Sequence, residues 1–293
     1  MREALYNDGV AKYVAPNLSI LSEHIAKLGL VQGAFQAEPD PVAWVALENG
    51  QLAGLTYETE QDVKGWHLHD LGGTDTSVED VACIPGADGD ELWVLVARTV
   101  GGSTVRYIEV MTTGLRNEDD KEDAIYMDSA LSYNSTATAL LTGLWHLEGQ
   151  SVQVLADGSK LGPYTVATGR ITISATATVV HAGLSFATVI ESIDLDALAQ
   201  AGTAKSRPKR INRVYMDVYR SLGGRAGPDD DTMHTIVYRG DSDPFGSSPD
   251  LRTQLVEFDF PSGWDRVARI RVEHDEPYPF TLLGHVADLE TVG

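Results

Sequence analysis

The residues with the clearest capacity for chemistry are two histidines, His67 and His69, which are followed directly by Asp70. On a β-strand, residues two apart point to the same face, about 7 Å from each other. Both imidazoles are then available to one metal ion if a third ligand comes from elsewhere. The other interpretation is structural: the imidazoles hydrogen-bond across neighbouring strands, while Trp66 and Leu68 take the opposite face, into the core. We favour the structural interpretation.

Acidic residues supply the other candidate sites. Asp88 and Asp90 resemble half of a calcium loop, but the spaced ligands and the closing bidentate glutamate are missing, so we interpret them as a turn before a strand. Three consecutive aspartates at 229–231 are a weaker candidate. The acidic stretch 117–123 is interpreted as a solvated loop, with a cation site as the alternative. A pair of acids that hydrolyses sugars stays open, because the sequence does not reveal their separation in space.

Motifs of the common enzyme classes are missing from the sequence. The segment GLSFA at 183–187 lacks the final glycine of a nucleophile elbow, and there is no phosphate loop, dinucleotide fingerprint or HExxH motif. Cys83 lies among apolar neighbours, which indicates a buried small side chain and not a nucleophile. We therefore predict that the protein is not an enzyme and has no catalytic residue, cofactor or metal; an unusual hydrolase is the alternative.

The charge balance limits the possible partners. Lys and Arg number 22 against 43 Asp and Glu, which gives a formal net charge of −21. The negative electrostatic field of such a chain repels phosphate and anionic lipid, so we do not expect the protein to bind nucleic acid. The acidity serves solubility or, alternatively, provides a surface over which DNA slides. There is no apolar run for a membrane span and no secretion signal, and the single cysteine predicts maturation in a reducing cytoplasm.

Positive charge is concentrated in one place, the run 205–210 and the strand that follows it. In a chain this acidic, we expect these side chains to form salt bridges with an acidic patch, on the same subunit or on a neighbour. Contact with phosphate is the alternative. The predicted interface residues are Lys205, Arg207, Lys209, Arg210 and Arg213.

The elements that must position these residues are nearly all strands. One helix is predicted near the start, because Leu18, Leu21, Ile25 and Leu28 recur at helical spacing; Asn17 is the expected cap and Gly29 the expected end. The predicted strands are short β-rich runs separated by turn residues. They lie at 42–47, 51–57, 63–69, 78–84, 91–97, 103–111, 152–155, 165–168, 171–173, 178–181, 211–221, 255–260 and 268–273.

The pattern predicts a mainly β fold of propeller-like antiparallel meanders, in which the first four strands make one meander. Residues 1–136 are expected to hold the helix and these meanders. Residues 137–204, rich in small residues and threonine, are expected to form an inserted small β-barrel or sandwich. Residues 205–293 complete the main body, and their alternation places Val214, Met216 and Val218 inward.

Several motifs in a fixed order resemble a known family. They lie between Asn17 and Glu290 and read AGLTYE at 53–58, VKGWHLH at 63–69, VEDVACIP at 78–85, DELWV at 90–94, GLWHLEG at 143–149, VLADG at 154–158, RPKRINR at 207–213 and GWDR at 263–266. This series resembles the tail nozzle proteins of short-tailed bacteriophages, also called tail tubular protein B or stabilisation proteins. Family members are longer, and the chain resembles their C-terminal half; a naturally short member, a split gene and a trimmed fragment are the alternatives.

The resemblance implies a structural virion protein, made in the cytoplasm of the host bacterium. It implies a homo-oligomeric, hexameric ring with a propeller-like body, which joins the portal and adaptor to distal tail proteins. DNA passes through the ring during ejection without specific binding. One alternative is a carbohydrate-binding or glycan-degrading tail module, with sugars stacked on tryptophan, although we interpret the tryptophans as core residues. A second alternative is a monomeric propeller adaptor. The five tryptophans are Trp44, Trp66, Trp93, Trp145 and Trp264.

Overall fold

The computed structural model describes residues 1–7, 9, 11–116, 118–196, 198–199, 202–203, 205–229, 231–240, 243, 246 and 248–292. They form two compact units. The first unit comprises Met1–Thr113 and His146–Gln150, and the second comprises Gly114–Trp145 and Ser151–Gly293. The predicted boundaries at 136 and 204 both fall within the second unit. No helix among the described residues is long and apolar enough to cross a membrane.

Among its described residues, the first unit has nine strands and one short α-helix. The helix, α1, is Glu23–Ala26, and the strands are β1 (Leu5–Asn7), β2 (Lys12–Val14), β3 (Leu30–Gln36), β4 (Val42–Leu47), β5 (Leu52–Glu58), β6 (Val63–His69), β7 (Ser77–Pro85), β8 (Asp90–Val100) and β9 (Ser103–Val110). The predicted mainly β class is confirmed here and in the second unit.

Two antiparallel meanders form the body of this unit. One sheet has the order β3-β4-β5-β6 and the other the order β7-β8-β9. The predicted Asn-Gly hairpin joins β4 to β5, where Gly50 adopts a φ of +86° and donates its N–H to the carbonyl of Leu47. The predicted first meander is wrong in one member, because Ser77–Pro85 pairs with β8 and the missing fourth strand is Leu30–Gln36. A propeller arrangement of these sheets stays a prediction.

Strand β4 is buried on both faces, which explains its unbroken apolar sequence. On one face Val42, Trp44 and Ala46 pack against residues of β7 and β8. On the other face Val45 and Leu47 pack with α1. The first sheet is therefore held between the second sheet and the N-terminal segment.

The predicted N-terminal helix is reduced to the single turn of α1. Asn17 does not cap it; its Oδ1 accepts hydrogen bonds from the N–H and the hydroxyl of Ser19, which form a separate turn. Ile25 is buried as expected, but Leu21 is almost fully exposed. Four apolar residues at helical spacing therefore do not share one buried face.

The described part of the second unit contains thirteen strands. They are β10 (Asp128–Thr142), β11 (Ser151–Ala156), β12 (Ser159–Thr165), β13 (Arg170–Leu184), β14 (Thr188–Glu191), β15 (Leu198–Ala199), β16 (Gly202–Thr203), β17 (Lys209–Ser221), β18 (Arg225–Gly227), β19 (His234–Thr235), β20 (Arg252–Asp259), β21 (Arg271–His274) and β22 (Thr281–Thr291). Two described 3-10 turns are Lys121–Asp123, in the second unit, and Trp145–Leu147, which begins in the second unit and continues into the first.

Three sheets dominate this unit, with strand orders β10-β13-β11-β12, β14-β21-β18-β19 and β20-β17-β22. The first spans Asp128–Leu184 and so overlaps the range 137–204 predicted for an inserted β domain, which stays a prediction. A closed barrel, one of the two predicted forms, is wrong for the described strands, because the ladder ends at β10 and β12. The two predicted strands 171–173 and 178–181 are one long strand, β13, whose pairing with β10 is interrupted by register shifts.

The core of the second unit lies under β17. The predicted inward positions Val214, Met216 and Val218 are fully buried, and they pack against Val256 and Ile270. Because alternate residues of a strand face opposite sides, the same alternation places Arg213 and Asp217 on the outer face of β17.

Candidate functional site

The histidine pair forms a hydrogen-bonded polar cluster within the first unit. His67 Nδ1 lies 2.7 Å from His69 Nε2, and His67 Nε2 lies 3.3 Å from the Thr56 hydroxyl on the neighbouring strand β5. Both rings pack edge-on or tilted against Trp44. The predicted hydrogen bonding across strands is confirmed. Trp66 packs against the core residues Val45 and Leu47, as predicted for the face opposite the histidines. Leu68 is exposed and does not lie in the core.

Burial sets the protonation of this cluster. Desolvation lowers the pKa of His69 to about 4, with a smaller contribution from His67, and it also lowers the pKa of His67. Two neutral imidazoles can share one hydrogen bond, because one ring donates and the other accepts. Gly54 makes room for them, since a Cβ at that position would overlap the His67 ring. The geometry therefore favours a packed hydrogen-bonded pair.

The acidic candidates stabilise turns. Asp88 is exposed in the turn before β8, as predicted, and Asp90 Oδ2 accepts the backbone N–H of Ala37 at 2.7 Å. Asp229 Oδ1 accepts the N–H of Thr232 at 2.8 Å. Each bonded carboxylate satisfies a backbone donor that a loop otherwise leaves unpaired.

The acidic loop 117–123 has the same character, since Asp119 Oδ2 accepts the N–H of Arg116 at 2.7 Å. Asn117 and Asp230 lie outside the described residues. Among the residues that the structure describes, no three His, Cys, Asp or Glu side chains are grouped to hold a metal ion.

The predicted interface residues do not share one environment, and Lys209 differs most from the expectation. Its side chain is fully buried, and its Nζ donates to Asp194 Oδ1 at 2.8 Å and to the carbonyl of Leu195 at 2.9 Å. The Lys209 ammonium lowers the pKa of the Asp194 carboxyl. Lys209 is therefore not available for a contact between subunits; it joins β17 to the segment after β14.

Arg213 lies on the outer face of β17 and is paired within the chain. It donates to Glu257 at 2.5 Å and to Asp259 at 3.2 Å, both on β20. The remaining predicted residues are half-buried or exposed near the start of β17: Lys205, Arg207 and Arg210.

The outer face of the β20-β17-β22 sheet is anionic, because residues in register share a face. Arg213 is opposite Asp259 and Asp288, and Tyr215 is opposite Glu257 and Val286. We call this surface the anionic sheet face; its charged residues are Arg210, Arg213, Asp217, Glu257, Asp259, Asp288 and Glu290. It also carries exposed apolar side chains, Leu255 at 60%, Leu283 at 61% and Val286 at 65% exposure.

The same sheet has two free edges. Among the described residues, β20 and β22 each pair only with β17, and both pairings are antiparallel. Strands β20 and β22 therefore run in the same direction. Unpaired strand edges of this kind carry rows of backbone donors and acceptors that can pair with another chain.

A second surface forms where two of the sequence motifs meet. Lys209 and Asp265 exchange backbone hydrogen bonds, with N···O distances of 2.6 and 2.9 Å. A cavity of about 480 Å³ lies beside this bridge, and we call it the Trp264 groove. Its lining is Glu191, Lys209, Ile211, Pro228, Asp229, Thr232, Pro261, Ser262, Gly263, Trp264, Asp265, Val267, Ala268, Arg269 and Arg271.

The charged side chains of the Trp264 groove hold one another in place. Glu191 accepts from Arg269 at 2.7 Å and from Arg271 at 3.5 Å, and Arg271 also donates to Glu273 at 2.6 Å. Asp265 Oδ1 accepts backbone N–H groups of its own loop. The lining contains three cations and three anions, so it is neutral overall.

The interpretation of all five tryptophans as core residues is wrong for two of them. Trp44 is buried and Trp66 and Trp93 are half-buried, but Trp145 is 67% exposed and Trp264 is 46% exposed. The difference follows from position, since Trp44, Trp66 and Trp93 lie in strands and the two exposed rings lie outside them. That context was visible in the sequence.

No protein-family model matches the chain, and no curated protein matches it either.

Proposed function

We propose that the chain is a structural subunit of a bacteriophage tail, of the nozzle type, which assembles with copies of itself into a ring around a DNA channel. The observation that carries the proposal is the β20-β17-β22 sheet, which combines two free edges with an anionic outer face. The motif series between 53 and 266 supports the same assignment through its resemblance to nozzle proteins.

The direction of the edge strands suits a ring. Because β20 and β22 run in the same direction, β22 of one copy pairs in parallel with β20 of the next after a rotation about an axis along the strands. Repetition of that rotation closes the ring, as head-to-tail contacts do when the angle permits. Leu255 on β20 and Leu283 and Val286 on β22 are exposed apolar side chains of these edge strands.

An anionic wall suits a channel that releases DNA. Each basic contact to phosphate adds affinity through counterion release and so slows passage, whereas carboxylates repel the backbone. On the anionic sheet face five carboxylates outnumber Arg210 and Arg213. The proposed partners are the portal and adaptor on one side and distal tail proteins on the other, while DNA passes without specific binding.

Mass photometry of the purified chain, alone and with an adaptor protein, tests the proposal. We expect closed oligomers of the wild type, and loss of most of them in Leu283→Lys, because a lysine on an edge strand opposes pairing with a second chain. Ile108→Lys is the control, since Ile108 is also exposed but lies on β9 of the first unit. A strictly monomeric wild type under every condition would overturn the proposal.

A further inference from the structure

The Trp264 groove has the dimensions and lining of a small-molecule site. Its volume of about 480 Å³ lies within the range of roughly 300–1,000 Å³ typical of ligand pockets. Trp264 contributes an exposed ring, with Pro228, Pro261 and Val267 as further apolar surface. Among the described residues the indole N–H of Trp264 has no hydrogen-bond partner, so the ring offers both a flat face and a donor.

The polar side chains of the groove offer donors and acceptors in fixed positions. Arg269 uses one nitrogen for Glu191 and is half-exposed, which leaves further N–H groups for a ligand. Asp229 and Asp265 use Oδ1 for backbone N–H groups of their loops and keep Oδ2 as an acceptor. A ligand with several hydroxyl groups can accept from the arginine and donate to the carboxylates.

The charge of the groove selects against ions. Three carboxylates disfavour a phosphate or another anion, and three cationic groups disfavour a metal ion or an amine. A neutral molecule with hydroxyl groups and one apolar face satisfies both the polar groups and the Trp264 ring. Sugars have this combination, since one face of a pyranose ring presents C–H groups while its edge presents hydroxyls.

We infer that the Trp264 groove is a binding site for a neutral saccharide, which stacks on Trp264 and hydrogen-bonds to Arg269, Asp229 and Asp265. The site uses none of the residues of the anionic sheet face, so it does not rest on the proposed ring. Lys209 acts below it as a positioning residue, because its backbone pairs with Asp265 and fixes the loop that carries Trp264.

The test is isothermal titration calorimetry of the full chain with glucose, galactose, N-acetylglucosamine and maltose. We expect at least one of these sugars to bind with a Kd of about 1 mM or tighter. Trp264→Ala should weaken binding about tenfold or more through loss of stacking, and Trp264→Phe should retain part of the affinity. Trp145→Ala is the matched control, since Trp145 is exposed in the same unit but lies outside the groove.

Two results would overturn the inference. One is the absence of binding by all four sugars, or binding that Trp264→Ala leaves unchanged. The other is inorganic phosphate binding more tightly than every sugar, which would mean that the arginines dominate the groove. Mass photometry of Trp264→Ala separates this site from the proposed assembly: loss of rings without any sugar binding would assign the groove to a subunit contact and reject the saccharide.

Discussion

Two tryptophans, Trp44 in the first unit and Trp264 in the second, each lie among polar side chains, but the two surroundings differ. Around Trp44, the histidines His67 and His69 are two residues apart and bond to each other and to β5. Around Trp264, the polar groups Asp229, Asp265 and Arg269 come from separate loop segments, and the Trp264 ring is half-exposed.

The difference indicates how to distinguish packed polar clusters from accessible ones. Polar side chains on one strand and its neighbour hydrogen-bond to one another once the sheet forms, because they are then already at hydrogen-bond distance. A cluster built by loops leaves donors and acceptors at its rim. Conspicuous residues in a sequence therefore need not mark the site that remains open to a ligand.

The largest expected effect on stability comes from replacing Lys209, which lines the Trp264 groove. Lys209→Met leaves Asp194 and the carbonyl of Leu195 without their buried partner, and we expect a loss of about 4 kcal/mol in the free energy of unfolding. Urea denaturation measures it. Arg210→Met is the control, because its side chain is exposed, and it should change stability by no more than about 0.5 kcal/mol. Equal effects of the two variants would contradict the burial of Lys209.

The next effect concerns the pH dependence of the histidine cluster. The pKa of His69 falls from 6.5 to about 4 on folding, so the unfolded chain binds a proton that the folded chain does not. The stabilisation is therefore complete above pH 6.5 and is lost as the pH falls toward 4, by up to about 3 kcal/mol. The unfolding free energy of wild type and His69→Gln, measured across this window, should converge as the pH falls. A constant difference would contradict the lowered pKa.

The smallest effect concerns the space around the same cluster. Gly54→Ala places a methyl group where the His67 ring lies, and we expect a loss of about 2 kcal/mol through overpacking. Gly65→Ala is the matched control on β6, because nothing lies within 4 Å of its new Cβ; its effect should stay within about 0.5 kcal/mol. Thermal unfolding of both variants checks the comparison, and a harmless Gly54→Ala would mean that the histidines can move aside.

Much of the fold follows from alternation in the sequence. Strands β4 and β6 have the predicted bounds, and the inward face of β17 is as predicted, because its apolar residues alternate with exposed ones. Strand β3 was missed because most of its residues are exposed at the edge of the sheet, where alternation is weak. The register shifts between β10 and β13 explain why the sequence predicts two short strands where β13 is one long strand.

The candidate surfaces were less predictable. The basic residues near β17 were visible as a cluster of charge, but burial separates Lys209 from Arg213, and burial depends on the packing of Asp194 from another segment. No sequence pattern singles out Arg98, yet its side chain is buried and forms a salt bridge with Glu109 on β9. These contacts join positions far apart in the chain, so no local pattern encodes them.

The short segment His146–Gln150 belongs to the first unit although it lies far along the chain. It supplies the fully buried Leu147, accepts a hydrogen bond from Tyr107 at 3.0 Å and anchors through Gln150. A fragment that ends at residue 113 would therefore leave the Tyr107 hydroxyl and the carbonyl of Thr99 without these partners.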